Sequence, residues 1–209
     1  MITIYHLETS RSERIMWLME ELGLEYKLEV FPREPNGAAP PPFKQIHALG
    51  KAPIIRDGDT VLAESGAVVD YIVQRYGNGR LAVQPKAPEF ARYLYWLHFA
   101  EGSLMSLMLI ALVLSRVPEA NESPVRTRIL DRMKQMLSFV DAELVNVAYF
   151  AGADFTAADV MMTFPFTTMR HFLTYDLTPF QNILAYIKRI EARPAYRRAM
   201  DVAGPKERS

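Results

Sequence analysis

The hydrophobic pattern of this chain changes character near Pro88, and that change constrains the fold more than any other feature. Before it, β-rich runs and helical runs take turns; after it, no convincing strand pattern recurs. Met1 to His6 predicts a strand. Ser10 to Leu22 places Ile15, Leu18, Met19 and Leu22 on one helical face, and Gly23 is a stop signal. Tyr26 to Val30 alternates apolar and charged residues, as a half-exposed strand does. Strand, helix, strand in this order implies a parallel pair joined by a right-handed crossover. Pro32, Pro35 and Pro40-Pro41-Pro42 interrupt regular structure, and a short helix is expected around Phe43 to His47. Pro53 to Ala63 reads as a hairpin turning at Asp57-Gly58-Asp59, and Glu64 to Tyr76 as a helix. The remainder reads as helices: a long one over Glu89 to Arg116 and one starting at Ser123-Pro124 and running to about Val145. Further starts fall at Thr156 with Asp159, at Thr178-Pro179 with Gln181, and at Pro194. The expected division is a first domain over 1–78, a connection over 79–87 and an all-helical domain over 88–209.

Composition narrows the chemistry. Of 209 residues, 50% are hydrophobic, enough for a real core, and formal net charge is zero, so neither nucleic acid nor an anionic membrane is expected as a partner. Cysteine is absent, which excludes a disulfide scaffold and any reaction on a protein thiol. His6, His47, His98 and His171 share no ligand spacing, so no metal is expected. The first residues show neither a basic region nor a long apolar run, so no signal peptide is read there. The longest uncharged stretch, Gly102 to Ser115, falls short of the ~20 residues a membrane span needs and reads as a buried helix.

Two short segments point to a binding site. In Lys51-Ala52-Pro53-Ile54-Ile55, Pro53 lacks an N–H and suits a strand start. A cis bond at Pro53 bends the chain and leaves the Ala52 backbone free to pair with an extended, peptide-like ligand. In Ala63-Glu64-Ser65-Gly66, Glu64 and Ser65 open a helix, where N–H groups and a hydroxyl suit the ligand's charged end.

These elements together resemble the cytosolic glutathione S-transferase family. Ala52-Pro53 resembles its cis-proline element, Glu64-Ser65 its γ-glutamyl motif, and Phe155-Thr156-Ala157-Ala158-Asp159 its helix capping box. Ser10-Arg11-Ser12-Glu13-Arg14 sits where serine-type members keep the active hydroxyl, and with Leu18 to Tyr26 it resembles the bacterial and fungal branch near the theta type. The resemblance implies an α/β thioredoxin-like N-terminal domain, β-α-β-α-β-β-α, followed by an all-α helical bundle that carries the electrophile pocket. It implies a cytoplasmic detoxification enzyme, a homodimer, that transfers alkyl or aryl groups to glutathione as co-substrate, with a hydrophobic electrophile as the second partner.

Such an enzyme must lower a thiol pKa of ~8.5. A hydroxyl donor near a helix N-terminus favours the anion. Ser10 is the first candidate for that donor, its bland alternative being a plain helix cap; Tyr5 and Ser12 remain alternatives. The nucleophile is the co-substrate's sulfur. Carried over from the resemblance, Glu64 and Ser65 bind the γ-glutamyl carboxylate and amine, and Ala52, held by Pro53, pairs with the cysteinyl unit. Lys51, with His47 and Arg11 behind it, faces the glycyl carboxylate, or else Lys51 is a solvated lysine. Leu94, Leu97, Glu101, Leu104 and Met108 form a heptad-like stripe. A carboxylate there is costly unless paired; Glu101 reaches the amine across a dimer or pairs internally with Arg14 or His98. Phe99, Met105, Met108 and Phe166 are the electrophile-pocket candidates, with ordinary core the default reading for any one of them. Alternative functions on the same fold are a glutathione-dependent peroxidase, a disulfide-bond reductase without a protein cysteine, and a non-catalytic glutathione- or ligand-binding protein.

Overall fold

The computed structural model describes residues 1–205. These form two compact units: Met1–Ala82 together with the segment from Glu191 onward, and Val83–Ile190. The segment after Glu191 thus belongs with the first unit, a difference from the helical domain expected over 88–209.

In the first unit, strand β1 (Ile2–Leu7) leads into helix α1 (Glu13–Leu22), strand β2 (Tyr26–Phe31), helix α2 (Pro41–Ile46), strands β3 (Ile54–Asp57) and β4 (Thr60–Ala63), and helix α3 (Ser65–Tyr76). The sheet order is β2-β1-β3-β4. β1 runs parallel to β2, with Ile2 opposite Tyr26, and antiparallel to β3, with Ile4 opposite Ile55. α1 begins at Glu13, three residues later than the periodicity predicts, because Ser10 to Ser12 form a turn in which the Ser10 carbonyl accepts from the Glu13 N–H at 3.2 Å. Gly23 ends α1 at φ +60, a left-handed conformation that a side chain resists. Gly58 gives the β3–β4 turn its positive φ of +57. Asp57, at the end of β3, accepts hydrogen bonds from the Tyr76 and Tyr71 hydroxyls on α3. Those bonds, aided by nearby Arg75, hold its carboxyl below the usual carboxylate range and pin α3 to the hairpin.

Helix α9 (Pro194–Ala203) packs on α1. The Trp17 and Tyr196 rings meet edge to face at 4.9 Å, Arg193 Nε lies 2.7 Å from Glu21 Oε1, and Arg198 Nε lies 2.7 Å from Glu20 Oε2. Partners more than 170 residues apart leave no periodic trace in a sequence, which is why this docking was not anticipated.

The second unit comprises α4 (Phe90–Phe99), a π-helical turn (Ala100–Met105), α5 (Ser106–Ser115), α6 (Pro124–Glu143), α7 (Ala157–Phe166) and α8 (Gln181–Glu191), whose last residue is counted with the first unit. The Ser123 side chain accepts from the Val125 N–H at the start of α6, as Ser-Pro at a helix start predicts. α8 begins at Gln181, but its first free N–H groups, on Asn182 and Ile183, are taken by Asp141 of α6 at 2.9 Å each. Trp96 anchors the aromatic core against Phe99, Phe139 and Phe150.

The run Phe90–Ser115 is long and apolar enough to cross a membrane by length and composition, with a mean hydropathy of 1.8 over its best window. Its inner face packs against α7 within this unit. Contrary to the expectation of a buried helix, only 39% of that window is buried. Leu109, Ile110 and Val113 face solvent, Val113 at 63% exposure. The heptad-like stripe also divides: Leu97, Leu104 and Met108 are core, whereas Leu94 is exposed and Glu101 half-buried.

Asp159 is fully buried and organises the start of α7. It accepts from the Phe150 and Thr156 N–H groups at 2.9 Å and from the Thr156 and Tyr186 hydroxyls at 3.2 Å. Burial outweighs these bonds and raises its pKa from 3.8 to about 6. Asp159→Ala strands four donors and is expected to cost about 3 kcal/mol in urea unfolding. Because the folded pKa lies above the unfolded one, the folded state holds the proton more tightly. The carboxyl's contribution is therefore full below pH ~4 and declines as pH rises to ~6. The wild-type unfolding free energy minus that of Asp159→Asn is expected to fall across that window and then level off.

Candidate functional site

The β1–α1 loop is built by one guanidinium. Arg33 donates from Nε to the Glu8 carbonyl at 2.8 Å, from Nη2 to the Thr9 carbonyl at 3.0 Å and from Nη1 to the Gly37 carbonyl at 2.7 Å. Thr9 sits at φ +48, a conformation unusual for a β-branched residue. Ser10 follows, 6% exposed, its Oγ 2.7 Å from Ser12 Oγ and accepting from the Ser12 N–H at 3.3 Å. Ser12 is fully buried, and its Oγ lies 2.7 Å from His6 Nδ1. Tyr5 is turned to other work: its ring packs with Leu7, Phe43 and Ile54, and its hydroxyl accepts from Arg56 Nε at 3.0 Å.

A groove opens in the same unit. Arg11 contributes from the β1–α1 loop, His47 and Leu49 from the segment after α2, Lys51 and Ala52 from the approach to β3, and Ala63, Glu64 and Ser65 from the β4–α3 junction. Every residue expected to bind ligand in this unit, apart from buried Pro53, therefore lines one groove. None of Ser10, Tyr5 and Ser12 lines the groove; Ser10 directly precedes groove-lining Arg11 in the chain. The Ala52–Pro53 bond is cis, and Ala52 stands just outside the β3 ladder, which begins at Ile54. Leu49 and Ala63 were not anticipated; a lone exposed leucine and a strand-end alanine carry no chemical signature, and only the folded groove brings them in.

The β4–α3 junction violates two rules of stable structure at once. Glu64 lies at φ +74, ψ +119, a conformation costing about 1–3 kcal/mol for a residue with a Cβ. Ser65 is 3% exposed, and its Oγ has no hydrogen-bond partner, a further ~1–3 kcal/mol. Their sum is a sizeable part of the 5–15 kcal/mol that holds a typical domain. The hydroxyl stands at the first residue of a twelve-residue helix, whose free N–H groups attract an anion. Glu64 is exposed and able to meet a cation, while Arg11 and Lys51 contribute positive charge. The groove thus presents charges of both signs beside a helix N-terminus and the approach to β3.

The electrophile-pocket candidates fare differently. Met105, Met108 and Phe166 are at most 1% exposed, core residues of the helical unit, and Phe166 stacks on Phe150. The reason is the face they occupy: the inner side of the long helix and of α7, which pack on each other. Phe99 alone of the four is half-exposed, stacked on Tyr95 with centroids 5.5 Å apart. Glu101 lies in the π-helical turn, where its carbonyl accepts from the Ser106 hydroxyl at 2.8 Å.

A thioredoxin-like unit with a groove beside its cis-proline, followed by a strand-poor helical unit, defines a class of two-domain proteins. Comparison with known proteins names the family. The model described as "Glutathione S-transferase, N-terminal domain" matches residues 1–74, and "Glutathione S-transferase, C-terminal domain" matches residues 104–194. Glutathione S-transferase 3 of Schizosaccharomyces pombe is 34% identical over 96% of this chain and 87% of its own length. A glutathione S-transferase structure from Actinobacillus pleuropneumoniae matches with TM-score 0.88 and 32% identity, over 98% of this chain and 94% of its own. The theta-class enzyme of Xanthomonas axonopodis pv. citri, solved with glutathione bound, gives TM-score 0.76 and 25% identity, over 97% and 98%. The chain belongs to the glutathione S-transferase family.

Removing the stranded hydroxyl tests the reading of the junction. Ser65→Ala is expected to raise the stability of the ligand-free protein by about 1 kcal/mol, since it deletes an unsatisfied buried group at no cost in packing. Thermal and urea unfolding measure it; a loss of stability instead means that Ser65 Oγ is satisfied from within the protein.

Proposed function

We propose that the protein conjugates the thiolate of glutathione, bound as co-substrate, to hydrophobic electrophiles. The observation that carries this reading is the unpartnered Ser65 hydroxyl beside strained Glu64 at the head of the groove. In this reading the γ-glutamyl carboxylate takes the Ser65 hydroxyl and the helix N–H groups, and Glu64 takes the amine. The Ala52 backbone pairs with the cysteinyl unit, and Lys51, His47 and Arg11 surround the glycyl carboxylate. With no cysteine in the chain, the reactive sulfur arrives with the co-substrate. Ser10, at the end of the clamped loop and next to Arg11, donates to that sulfur and lowers its pKa. The helical domain supplies the electrophile site, with Phe99 its half-exposed aromatic. The cytoplasm, where glutathione is kept reduced, is the compartment that suits such chemistry, and detoxification is its use.

The proposal includes a homodimer. The solvent-facing Leu94, Tyr95, Leu109, Ile110 and Val113 on the long helix support it, because a soluble protein seldom leaves so much apolar surface uncovered. Glu101, on the same helix, is assigned to the γ-glutamyl amine of the neighbouring subunit. Val113→Asp with Ile110→Asp is expected to halve the mass seen by light scattering; an unchanged mass removes this helix from the interface.

Turnover of a chloro-nitroaromatic probe with glutathione tests the function. Ser65→Ala is expected to weaken glutathione binding by about tenfold to a hundredfold, the worth of a charge-assisted hydrogen bond. Ser10→Ala is expected to lower kcat about a hundredfold with the glutathione Kd unchanged. No glutathione binding at millimolar concentration defeats the proposal, and undiminished turnover in Ser10→Ala removes Ser10 from its role.

A further inference from the structure

We propose that His6 and Ser12 form a buried relay that sets the direction of the Ser10 hydroxyl, so that His6 is a positioning residue for thiolate formation. The inference rests on the reading of Ser10 as the thiolate's donor. Ser12 stands at the N-cap of α1, where a serine ordinarily accepts from the helix N–H groups, yet its side chain makes no capping bond. Its hydroxyl is engaged sideways: with Ser10 Oγ at 2.7 Å, with His6 Nδ1 at 2.7 Å and, more weakly, with the Leu7 carbonyl at 3.5 Å.

The Ser12 proton goes to one of the two 2.7 Å contacts rather than to the Leu7 carbonyl at 3.5 Å, and proton counting then leaves two arrangements. Each 2.7 Å contact needs one hydrogen, and Ser12 owns a single O–H. With Nδ1 bare, Ser12 donates to His6 and Ser10 donates to Ser12. The Ser10 proton then points inward, leaving only lone pairs for an incoming sulfur anion. With a proton on Nδ1, His6 donates to Ser12 and Ser12 donates to Ser10. Ser10 Oγ, which already accepts from the Ser12 N–H at 3.3 Å, then has its own proton free to point outward. Only this second arrangement stabilises a thiolate. All three side chains are at most 6% exposed, so water does not supply the missing hydrogens, and in such surroundings each bond strengthens the next. The Arg33 clamp on the Glu8 and Thr9 carbonyls holds the loop in the geometry the relay needs. The His6 tautomer thus decides whether Ser10 serves as a donor.

The test reads the pKa of the bound thiol from the ultraviolet absorbance of glutathione thiolate in the binary complex, beside the glutathione Kd and the melting temperature. Ser12→Ala and His6→Leu are expected to raise the thiol pKa by about one unit, tenfold less thiolate at neutral pH, with Kd unchanged. His6→Asn, whose amide donates from nearly the same place, is expected to restore the wild-type pKa. Ser12→Ala deletes one oxygen without removing a helix cap, so it carries the test if His6→Leu does not fold. A raised pKa in Ser10→Ala with a wild-type pKa in Ser12→Ala overturns the relay and leaves Ser10 in place. A wild-type pKa in Ser10→Ala overturns the reading of Ser10, and the relay with it. A weakened Kd without a pKa change marks Ser12 and His6 as structural and overturns the relay.

Discussion

The placement of β1 between a parallel neighbour and an antiparallel one is the constraint on which the site depends. Its pairing with β2 forces the crossover through α1, and its pairing with β3 brings the Lys51–Pro53 segment back to the same sheet. The chain leaves β1 at Leu7 and must turn at once, and Arg33, which follows β2 in sequence, holds that turn by the Glu8 and Thr9 carbonyls while bonding the Gly37 carbonyl of its own loop. The Ser10 hydroxyl, the Arg11 wall of the groove and the His6–Ser12 contact all descend from this corner.

The β4–α3 junction shows the opposite economy. A residue with a Cβ is held at positive φ, and the next side chain is buried with its hydroxyl unsatisfied. Neither serves stability. Both are tolerated because α3 is secured at its other end, where Tyr71 and Tyr76 donate to Asp57, and because Val68, Val69, Ile72 and Val73 are buried. Rigid support around a strained, unsatisfied spot is what preorganised recognition of a charged group requires, since no reorganisation remains to be done on binding.

The helical unit divides its labour by face. Asp159 gathers four donors from the Phe150–Thr156 loop and α8 and so fixes where α7 begins. The inner side of the long helix is spent on packing against α7, which is why methionines read as pocket residues turn out to be core. The outer side carries apolar residues that nothing in the single chain covers.

Much of this was legible in the sequence, for a definite reason. Pro53 before Ile54, Gly58 in its turn, Ser123 before Pro124, and Thr156 with Asp159 act within a few residues of themselves, through missing donors, positive φ and local caps. Short-range physics of that kind survives in a linear string, and so the order of elements and the two arms of the groove did too. The tertiary structure alone decided what depends on distant partners: α9 docked on α1 through Tyr196, Arg193 and Arg198, Asp141 capping α8, Arg33 clamping the Ser10 loop, and Tyr5 turned to Arg56. It also decided which side of the long helix is core. Those outcomes arise where elements remote in sequence meet, and hydrophobic periodicity reports that a face is apolar without reporting what covers it.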